Sequence, residues 1–233
     1  MKSLRNLIFV VLVSLPLTAY AELPWQLSQH TRYMALGDSL AAGYGAVPAA
    51  QGYAYQLYAS GVFDTVPNTL LSNAGIPGTT SRDILEHQLP QAIKALRERE
   101  AVQPTFITLL IGGNDLLQIL NGADPNQVLT DFQLNLTEIL GTLRAALPHT
   151  RIYVGNLYTI PQIPGADDIV PVFNDIIAGV ADAFDVPWAN VYKEFLGKKD
   201  YLLINRRGAD QFEVHPSNAG HRAIARAFRA VIE

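Results

Sequence analysis

The tetrapeptide Gly-Asp-Ser-Leu at residues 37–40 directly follows an apolar run at residues 33–36. An apolar run that stops at such a sequence indicates a buried strand that ends in a tight turn. The hydroxyl of Ser39 could attack a carbonyl carbon if a base takes its proton and hydrogen-bond donors hold the developing oxyanion. The tetrapeptide alone also fits helix capping, because Asp and Ser are favoured N-cap residues. The base and the donors must come from elsewhere in the chain.

Three later segments contain residues of suitable type: Asn-Ala-Gly-Ile-Pro-Gly at 73–78, Gly-Gly-Asn-Asp at 112–115 and His-Pro at 215–216. His215 is a candidate general base, because an imidazole titrates near neutral pH. A residue before proline is biased away from helical geometry, so we expect His215 on a loop and Pro216 at the start of the last helix. The other histidines fit less well, since they lie in helical patterns, in a turn or before the first strand.

Strand-like and helix-like segments alternate after residue 30. Short apolar or β-branched segments predict strands at residues 33–37, 69–73, 105–111 and 151–156, with a weaker fifth at 187–192. Helical patterns cover residues 53–60, 82–99, 125–146, 170–184 and 217–231. This alternation predicts a parallel sheet covered by helices on both faces. Right-handed crossovers place the strand ends at one edge of the sheet, so the segments that follow them are expected to meet in one crevice.

In their order along the chain, these four segments resemble the conserved blocks of the SGNH (GDSL) hydrolase family. The resemblance covers nearly all of the chain after residue 21. It implies an α/β fold, namely a three-layer α/β/α sandwich with a flavodoxin-like parallel sheet of about five strands. It also implies a secreted serine esterase of the bacterial esterase or lysophospholipase type. Position 41 is Ala, so the Gly-x-Ser-x-Gly elbow of the α/β-hydrolases is absent.

The resemblance also implies roles for individual residues. Ser39 matches the nucleophile, and its backbone N–H would be one oxyanion donor. Gly78 matches the glycine of the second block, which gives a backbone N–H to the oxyanion, and Asn114 matches the asparagine that gives a side-chain N–H. His215 matches the general base.

The chain departs from the family at the acid that orients the histidine. The family pattern is Asp-x-x-His, but Phe212 stands three residues before His215. Glu213 could reach the imidazole from a shifted position, and Asp210 could do so if the loop bulges. A Ser-His dyad supported by a backbone carbonyl is the third alternative, and we favour Glu213. Asp115 is expected to cap the helix that follows it and to take no part in catalysis.

Residues 1–21 have the features of a secretory signal peptide. Lys2 and Arg5 precede an apolar run at 7–17, and Ala-Tyr-Ala at 19–21 fits a cleavage site. The run is shorter than the roughly 20 residues that span a bilayer, so we expect no membrane anchor after cleavage. We therefore expect one domain at residues 22–233 and a secreted or periplasmic location.

Charge and composition exclude several classes of function. Loss of Lys2 and Arg5 lowers the 17 basic residues to 15 against 21 acidic ones, a net charge of −6. Such a balance disfavours nucleic acid as a partner, because phosphate binding requires a basic face. The chain has no cysteine, which excludes thiol catalysis and cysteine metal sites. We find no metal motif and no nucleotide-binding motif, so no cofactor is expected.

Apolar residues are frequent in and after the candidate segments. Some of them are expected to line an apolar binding site for the acyl group: Leu40, Tyr44, Leu116, Leu117, Ile119, Leu120, Ile160 and Ile163. This favours a small-molecule or lipid substrate, namely an ester, a lysophospholipid or a thioester with an aliphatic or aromatic acyl group. Sugar deacetylation or acyl transfer would use the same catalytic residues. A non-catalytic binding protein is a further alternative, motivated by the missing Asp. The sequence does not fix the oligomeric state.

Overall fold

Five parallel strands form the central sheet in a computed structural model of this chain. They are β1 (Thr31–Gly37), β2 (Thr69–Asn73), β3 (Thr105–Leu110), β4 (Arg151–Gly155) and β5 (Trp188–Ala189). Their order is β2-β1-β3-β4-β5, which is the flavodoxin-like order. The structure describes residues 30–63, 69–160, 163–198, 202–205 and 212–233. The predicted signal peptide and Asp210 lie outside these ranges.

Helices follow the strands and cover the sheet. They are α1 (Ser39–Ala42), α2 (Tyr53–Ala59), α3 (Ser81–Asp83), α4 (Leu89–Leu96), α5 (Gly113–Leu120), α6 (Pro125–Ala146), α7 (Ala166–Ala183), α8 (Val191–Phe195) and α9 (Asn218–Ile232). A π-helical turn, Ile84–Gln88, joins α3 to α4, and a 3₁₀ turn spans Ala49–Gln51. Among the described helices, none has both the length and the apolar character needed to cross a bilayer.

Side chains alternate between the two faces of the sheet. On β1, Met34 and Leu36 pack on one face with residues of α4, α6 and α7. Tyr33 and Ala35 pack on the other face with residues of α1, α2, α8 and α9. Alternation along a strand places successive residues on opposite faces, so each face has its own apolar core. The predicted three-layer α/β/α architecture is confirmed.

The prediction of a fifth strand at residues 187–192 is wrong for most of these residues. Only Trp188 and Ala189 pair with β4. Asn190 then caps α8, because its Oδ1 accepts a hydrogen bond from the backbone N–H of Lys193 at 3.0 Å. An Asn side chain that satisfies a free N–H in this way favours a helix start over further extension of the strand.

A separate two-stranded antiparallel sheet, β6 (Leu203–Asn205) and β7 (Phe212–Pro216), precedes α9. His215 lies on β7, so its predicted place on a loop is wrong. The restriction that proline imposes on the preceding residue is satisfied by extended strand geometry as well as by a loop. Pro216 ends β7, and Ser217 caps α9 through Gly220 N–H at 3.3 Å.

Candidate active site

Ser39 is the first residue of α1, directly after the end of β1. The turn needs Gly37, which has a φ of 141°, because a Cβ there would lie 2.1 Å from the carbonyl oxygen of Leu110. Asp38 caps α1, since its Oδ1 accepts a hydrogen bond from Leu40 N–H at 2.8 Å. The capped turn holds Ser39 at the carboxyl edge of the sheet, where open α/β sheets place their ligand sites.

The structure places His215 against Ser39, although 176 residues separate them. The Nε2 of His215 lies 2.9 Å from Oγ of Ser39. Two aromatic residues support this position. The ring of Tyr44 packs on the imidazole with centroids 4.2 Å apart, and the hydroxyl of Tyr158 donates to the carbonyl of Val214 at 2.6 Å. Sequence reasoning missed the part played by Tyr158, because only the fold brings it to β7.

Glu213 faces the other nitrogen of the same imidazole. Its Oε1 lies 3.9 Å from Nδ1 of His215. The strand explains this geometry, because residues two apart project from the same face of a β-strand. The distance is that of an ion pair and exceeds that of a hydrogen bond. On a strand, a carboxylate two residues before the histidine can therefore face the imidazole, whereas the family pattern Asp-x-x-His places the acid three residues before it.

Gly78 and Asn114 line the same cavity as Ser39 and His215. Gly78 adopts a φ of 85°, a left-handed conformation that favours glycine, and the space where a Cβ would stand is open. The Nδ2 of Asn114 donates to the carbonyl of Thr79 at 2.8 Å and lies 3.5 Å from Oδ2 of Asp38. At 3.5 Å little of a hydrogen bond remains, so the second N–H of Asn114 can be given to an oxyanion.

Two buried carboxyl groups stand beside these donors. Burial raises the pKa of Asp38 to about 7, and it also raises the pKa of Asp115. The predicted role of Asp115 as a cap for the helix after it is wrong, since α5 already begins at Gly113. Asp115 instead accepts hydrogen bonds at the start of α3, from the N–H of Ser81 at 3.0 Å and from its hydroxyl at 2.6 Å. This contact ties the segment after Gly78 to the helix that carries Asn114.

Side-chain amides hold two further strand ends. Asn73, at the end of β2, donates to the carbonyl of Ala41 at 2.8 Å and accepts from the N–H of Gly75 at 3.0 Å. After β4, Oδ1 of Asn174 accepts from the N–H of Leu157 at 2.8 Å, and Nδ2 of Asn174 donates to the carbonyl of Leu157 at 2.9 Å. An amide supplies a donor and an acceptor together, so it can replace a neighbouring strand.

The cavity beside Ser39 has a volume of about 300 Å³. Its wall is mostly apolar and comes from α5, the segment after β4 and the start of α7, through Leu116, Leu117, Leu120, Leu157, Ile160, Ile163, Ala166 and Val170. Ile119, which the sequence also suggested, packs against the core instead. The arrangement brings a serine hydroxyl, an imidazole and hydrogen-bond donors together beside an apolar recess, and groups of the first three kinds are those that acyl transfer uses.

Comparison with known proteins decides the family. The profile of the GDSL-like lipase/acylhydrolase family matches residues 35–223. This chain is a GDSL hydrolase. Membership implies an ester hydrolase. No curated protein matches the chain.

Several solved structures share the fold of this GDSL hydrolase. The lipase Lip_vut3 from a goat rumen metagenome is 26% identical over 86% of this chain and 97% of that chain, with a TM-score of 0.70. The acetylxylan esterase Axe2 from Geobacillus stearothermophilus is 20% identical over 87% and 94%, with a TM-score of 0.65. Phospholipase A1 from Streptomyces albidoflavus NA297 is 16% identical over 86% and 98%, with a TM-score of 0.60. The last two likenesses show the fold alone.

His221 of the GDSL hydrolase has a structural role. It is fully buried on α9. Its Nδ1 accepts from the N–H of Tyr53 at 3.3 Å, so its Nε2 carries the proton and donates to the carbonyl of Tyr44 at 2.9 Å. Burial lowers its pKa, which keeps the ring neutral. Within the described ranges, no three His, Asp or Glu side chains converge as a metal site requires.

Replacing Glu213 with Gln tests which acid orients the imidazole of this GDSL hydrolase. We expect kcat to fall by about 10- to 100-fold, because the charge that faces His215 Nδ1 at 3.9 Å is lost. The loss is smaller than the roughly 10⁴-fold cost of removing a hydrogen-bonded Asp from a serine protease. Steady-state kinetics on a p-nitrophenyl ester measures it, with Asp210→Asn as the matched variant. A large loss in Asp210→Asn alone would assign the role to Asp210, and small losses in both would favour the dyad.

Proposed function

We propose that this GDSL hydrolase is a serine esterase that cleaves carboxylic esters through an acyl-enzyme on Ser39. The observation that carries the proposal is the 2.9 Å contact between Ser39 Oγ and His215 Nε2. A nucleophile and a base within hydrogen-bond reach, with the base faced by a third group, is the geometry of covalent acyl transfer. Glu213 supplies that third group at 3.9 Å.

The proposed reaction has two halves. His215 Nε2 takes the proton of Ser39 as Oγ bonds to the ester carbonyl carbon, which forms a tetrahedral oxyanion. The oxyanion collapses, the bond to the alcohol oxygen breaks, and His215 returns the proton to that oxygen. Water then gives a proton to His215 as its oxygen bonds to the acyl carbon. The bond between that carbon and Oγ of Ser39 breaks, His215 returns the proton to Oγ, and a carboxylic acid leaves. Each half uses the imidazole once as a base and once as an acid.

The proposed oxyanion site consists of the backbone N–H groups of Ser39 and Gly78 and the side chain of Asn114. All three residues line the cavity. The hydrogen bond from Asn114 to Thr79 holds the amide in place, so the donor is positioned before the reaction begins. Donors that are fixed in advance stabilise the developing charge without reorganising during the reaction.

Covalent labelling tests this function. A fluorophosphonate probe should modify the protein once, and peptide mass analysis should find the probe on Ser39. Modification at another residue, or no modification together with no hydrolysis of p-nitrophenyl acetate or butyrate, would contradict the proposal. The second result would favour the non-catalytic binding protein. A competing alcohol in the assay distinguishes acyl transfer from hydrolysis, because transfer yields a new ester.

The apolar cavity predicts a preference for longer acyl chains. Each buried methylene contributes about 0.8 kcal/mol, so kcat/KM should rise by about fourfold per carbon until the cavity of about 300 Å³ is filled. A panel of p-nitrophenyl esters from acetate upward, with acetylated sugars included, measures this slope. Leu117→Gln should flatten it, whereas Leu134→Gln, which alters a largely exposed leucine on α6, should not. A flat profile in the wild-type protein with high activity on acetylated sugars would favour a deacetylase.

We also propose that the enzyme is exported, on the sequence of residues 1–21 alone. Expression of the full chain in a bacterial host and mass analysis of the periplasmic fraction tests this. We expect a product that begins at Glu22.

A further inference from the structure

The side chain of Gln88 binds both polar groups of Gly37, two residues before the nucleophile. The N–H of Gly37 donates to Oε1 of Gln88 at 3.0 Å. The Nε2 of Gln88 donates to the carbonyl of Gly37 at 2.8 Å. Gln88 is only 5% exposed, so this amide and the Gly37 groups satisfy each other away from water. Buried polar groups that lose such a partner carry a desolvation cost.

Strand β2 supplies no partner for the N–H of Gly37. The register between β1 and β2 ends at the pair Ala35 and Asn73. Beyond it, the N–H of Ile76 donates to the carbonyl of Gly37 at 3.1 Å, whereas the N–H of Gly37 donates to Gln88. The amide of Gln88 supplies the partner for the Gly37 N–H that a longer β2 would have supplied. A glutamine side-chain amide has the donor and the acceptor of a peptide group, so Gln88 pairs with Gly37 as a residue of a neighbouring strand would.

Gln88 is the last residue of the π-helical turn between α3 and α4. Such turns hold one extra residue and occur frequently at functional sites. The same Nε2 lies 3.5 Å from Oγ1 of Thr79, and the carbonyl of Thr79 holds the amide of Asn114 at 2.8 Å. One side chain thus lies against the turn that carries Ser39 and against the segment that carries Gly78 and holds the amide of Asn114.

We infer that Gln88 is a positioning residue, which fixes the distance between the hydroxyl of Ser39 and the donors at Gly78 and Asn114. The inference rests on the proposed function, because it concerns the rate of acyl transfer at Ser39. Gln88 does not itself line the cavity wall described for the site. It acts through the Gly37 peptide, and a displacement of about 1 Å in reacting groups can cost on the order of 100-fold in rate.

Gln88→Met tests the inference, because methionine keeps the length of the side chain and removes both hydrogen bonds. We expect kcat per active site to fall by about 10- to 100-fold, with KM within about twofold of wild type. Active sites are counted by fluorophosphonate labelling carried to completion, so unfolded protein does not enter the value. The second-order rate of fluorophosphonate labelling at Ser39 should fall in parallel.

Thr150→Val is the matched control. Thr150 and Thr105 share a buried hydrogen bond of 2.7 Å between their hydroxyls at the opposite, amino edge of the sheet. This variant should lower the Tm by about 2–4 °C and leave kcat per active site unchanged. Gln88→Glu is the second variant, since it keeps the size of the side chain and an acceptor for Gly37 N–H. It should retain more of kcat than Gln88→Met.

The inference is overturned if folded Gln88→Met keeps kcat per active site within twofold of wild type, or if Gln88→Glu loses as much of kcat as Gln88→Met, whatever happens to the Tm. In that case Gln88 would only stabilise the fold, as Thr150 does. Activity that survives Ser39→Ala would instead overturn the proposed function, so the two failures are distinguishable.

Discussion

Replacing Ser39 with Ala is expected to lower kcat for p-nitrophenyl butyrate by on the order of 10⁶-fold, as loss of the nucleophile does in another serine hydrolase. The reason is geometric. Ser39 carries the hydroxyl that lies 2.9 Å from the proposed base, and alanine leaves no atom there to form the acyl-enzyme. The fold should survive, because the hydroxyl is removed without loss of apolar volume. Steady-state kinetics and the loss of fluorophosphonate labelling measure the effect.

Ser60→Ala is the control for this substitution. The hydroxyl of Ser60 binds the carbonyl of Leu57 at the end of α2 and does not line the cavity. We expect unchanged kinetics and labelling. More than about 1% of wild-type activity in purified Ser39→Ala would exclude Ser39 as the nucleophile.

Replacing His215 with Ala is expected to lower kcat by a similar factor, on the order of 10⁵- to 10⁶-fold. Serine and histidine act as one unit in covalent acyl transfer, so loss of either member removes most of the rate. Labelling of Ser39 by the fluorophosphonate should slow to the same degree, because the hydroxyl loses the group that takes its proton. Time courses of labelling, followed by intact mass, measure this.

His87→Ala is the control, since His87 is exposed on the π-helical turn. A result in which His215→Ala labels at the wild-type rate would show that another group activates Ser39. The contact of 2.9 Å would then have no catalytic meaning.

The fold was largely predictable because the local signals agree with one another. Helix α6 spans residues 125–146 as predicted, because Pro125 fills its first position and Asp124 accepts from Asn126 N–H at 2.8 Å. Strands β1 to β4 are rich in apolar and β-branched residues, and most residues of β1, β3 and β4 are buried, as expected where helices cover both faces of a parallel sheet. These features depend on residues within a few positions of one another.

What the sequence did not reveal depends on contacts between distant residues. The pairing of β6 with β7 has a register irregularity between Leu203 and Asn205, and a strand of three residues has no periodicity to detect. The same strand pairing decides that Glu213 and His215 share a face. Asp115 carried a capping signal, but its partner Ser81 lies 34 positions away.

Ser39, Gly78, Asn114 and His215 were predicted from their local motifs, and the structure places these four residues around one cavity. Their supporting residues were not found. Gln88 and Tyr158 act on peptide groups 51 and 56 positions away, and nothing in their own neighbourhood marks them. A glutamine inside a helical pattern ordinarily indicates a solvated surface, and only the fold shows that this one is buried.

Neutral amides hold the carboxyl edge of the sheet at Asn73, Gln88, Asn114 and Asn174. Mobile ions screen interactions between exposed charges over about 10 Å at 0.1 M salt, but they act little on hydrogen bonds between uncharged groups. The carboxyl groups of Asp38 and Asp115, which also hold this edge, are buried and therefore little screened. The spacing around Ser39 should therefore depend little on ionic strength. A rate that changes strongly with added sodium chloride would indicate an effect on a charged substrate or on the Glu213–His215 pair. It would not indicate a change in the hydrogen bonds that hold Ser39.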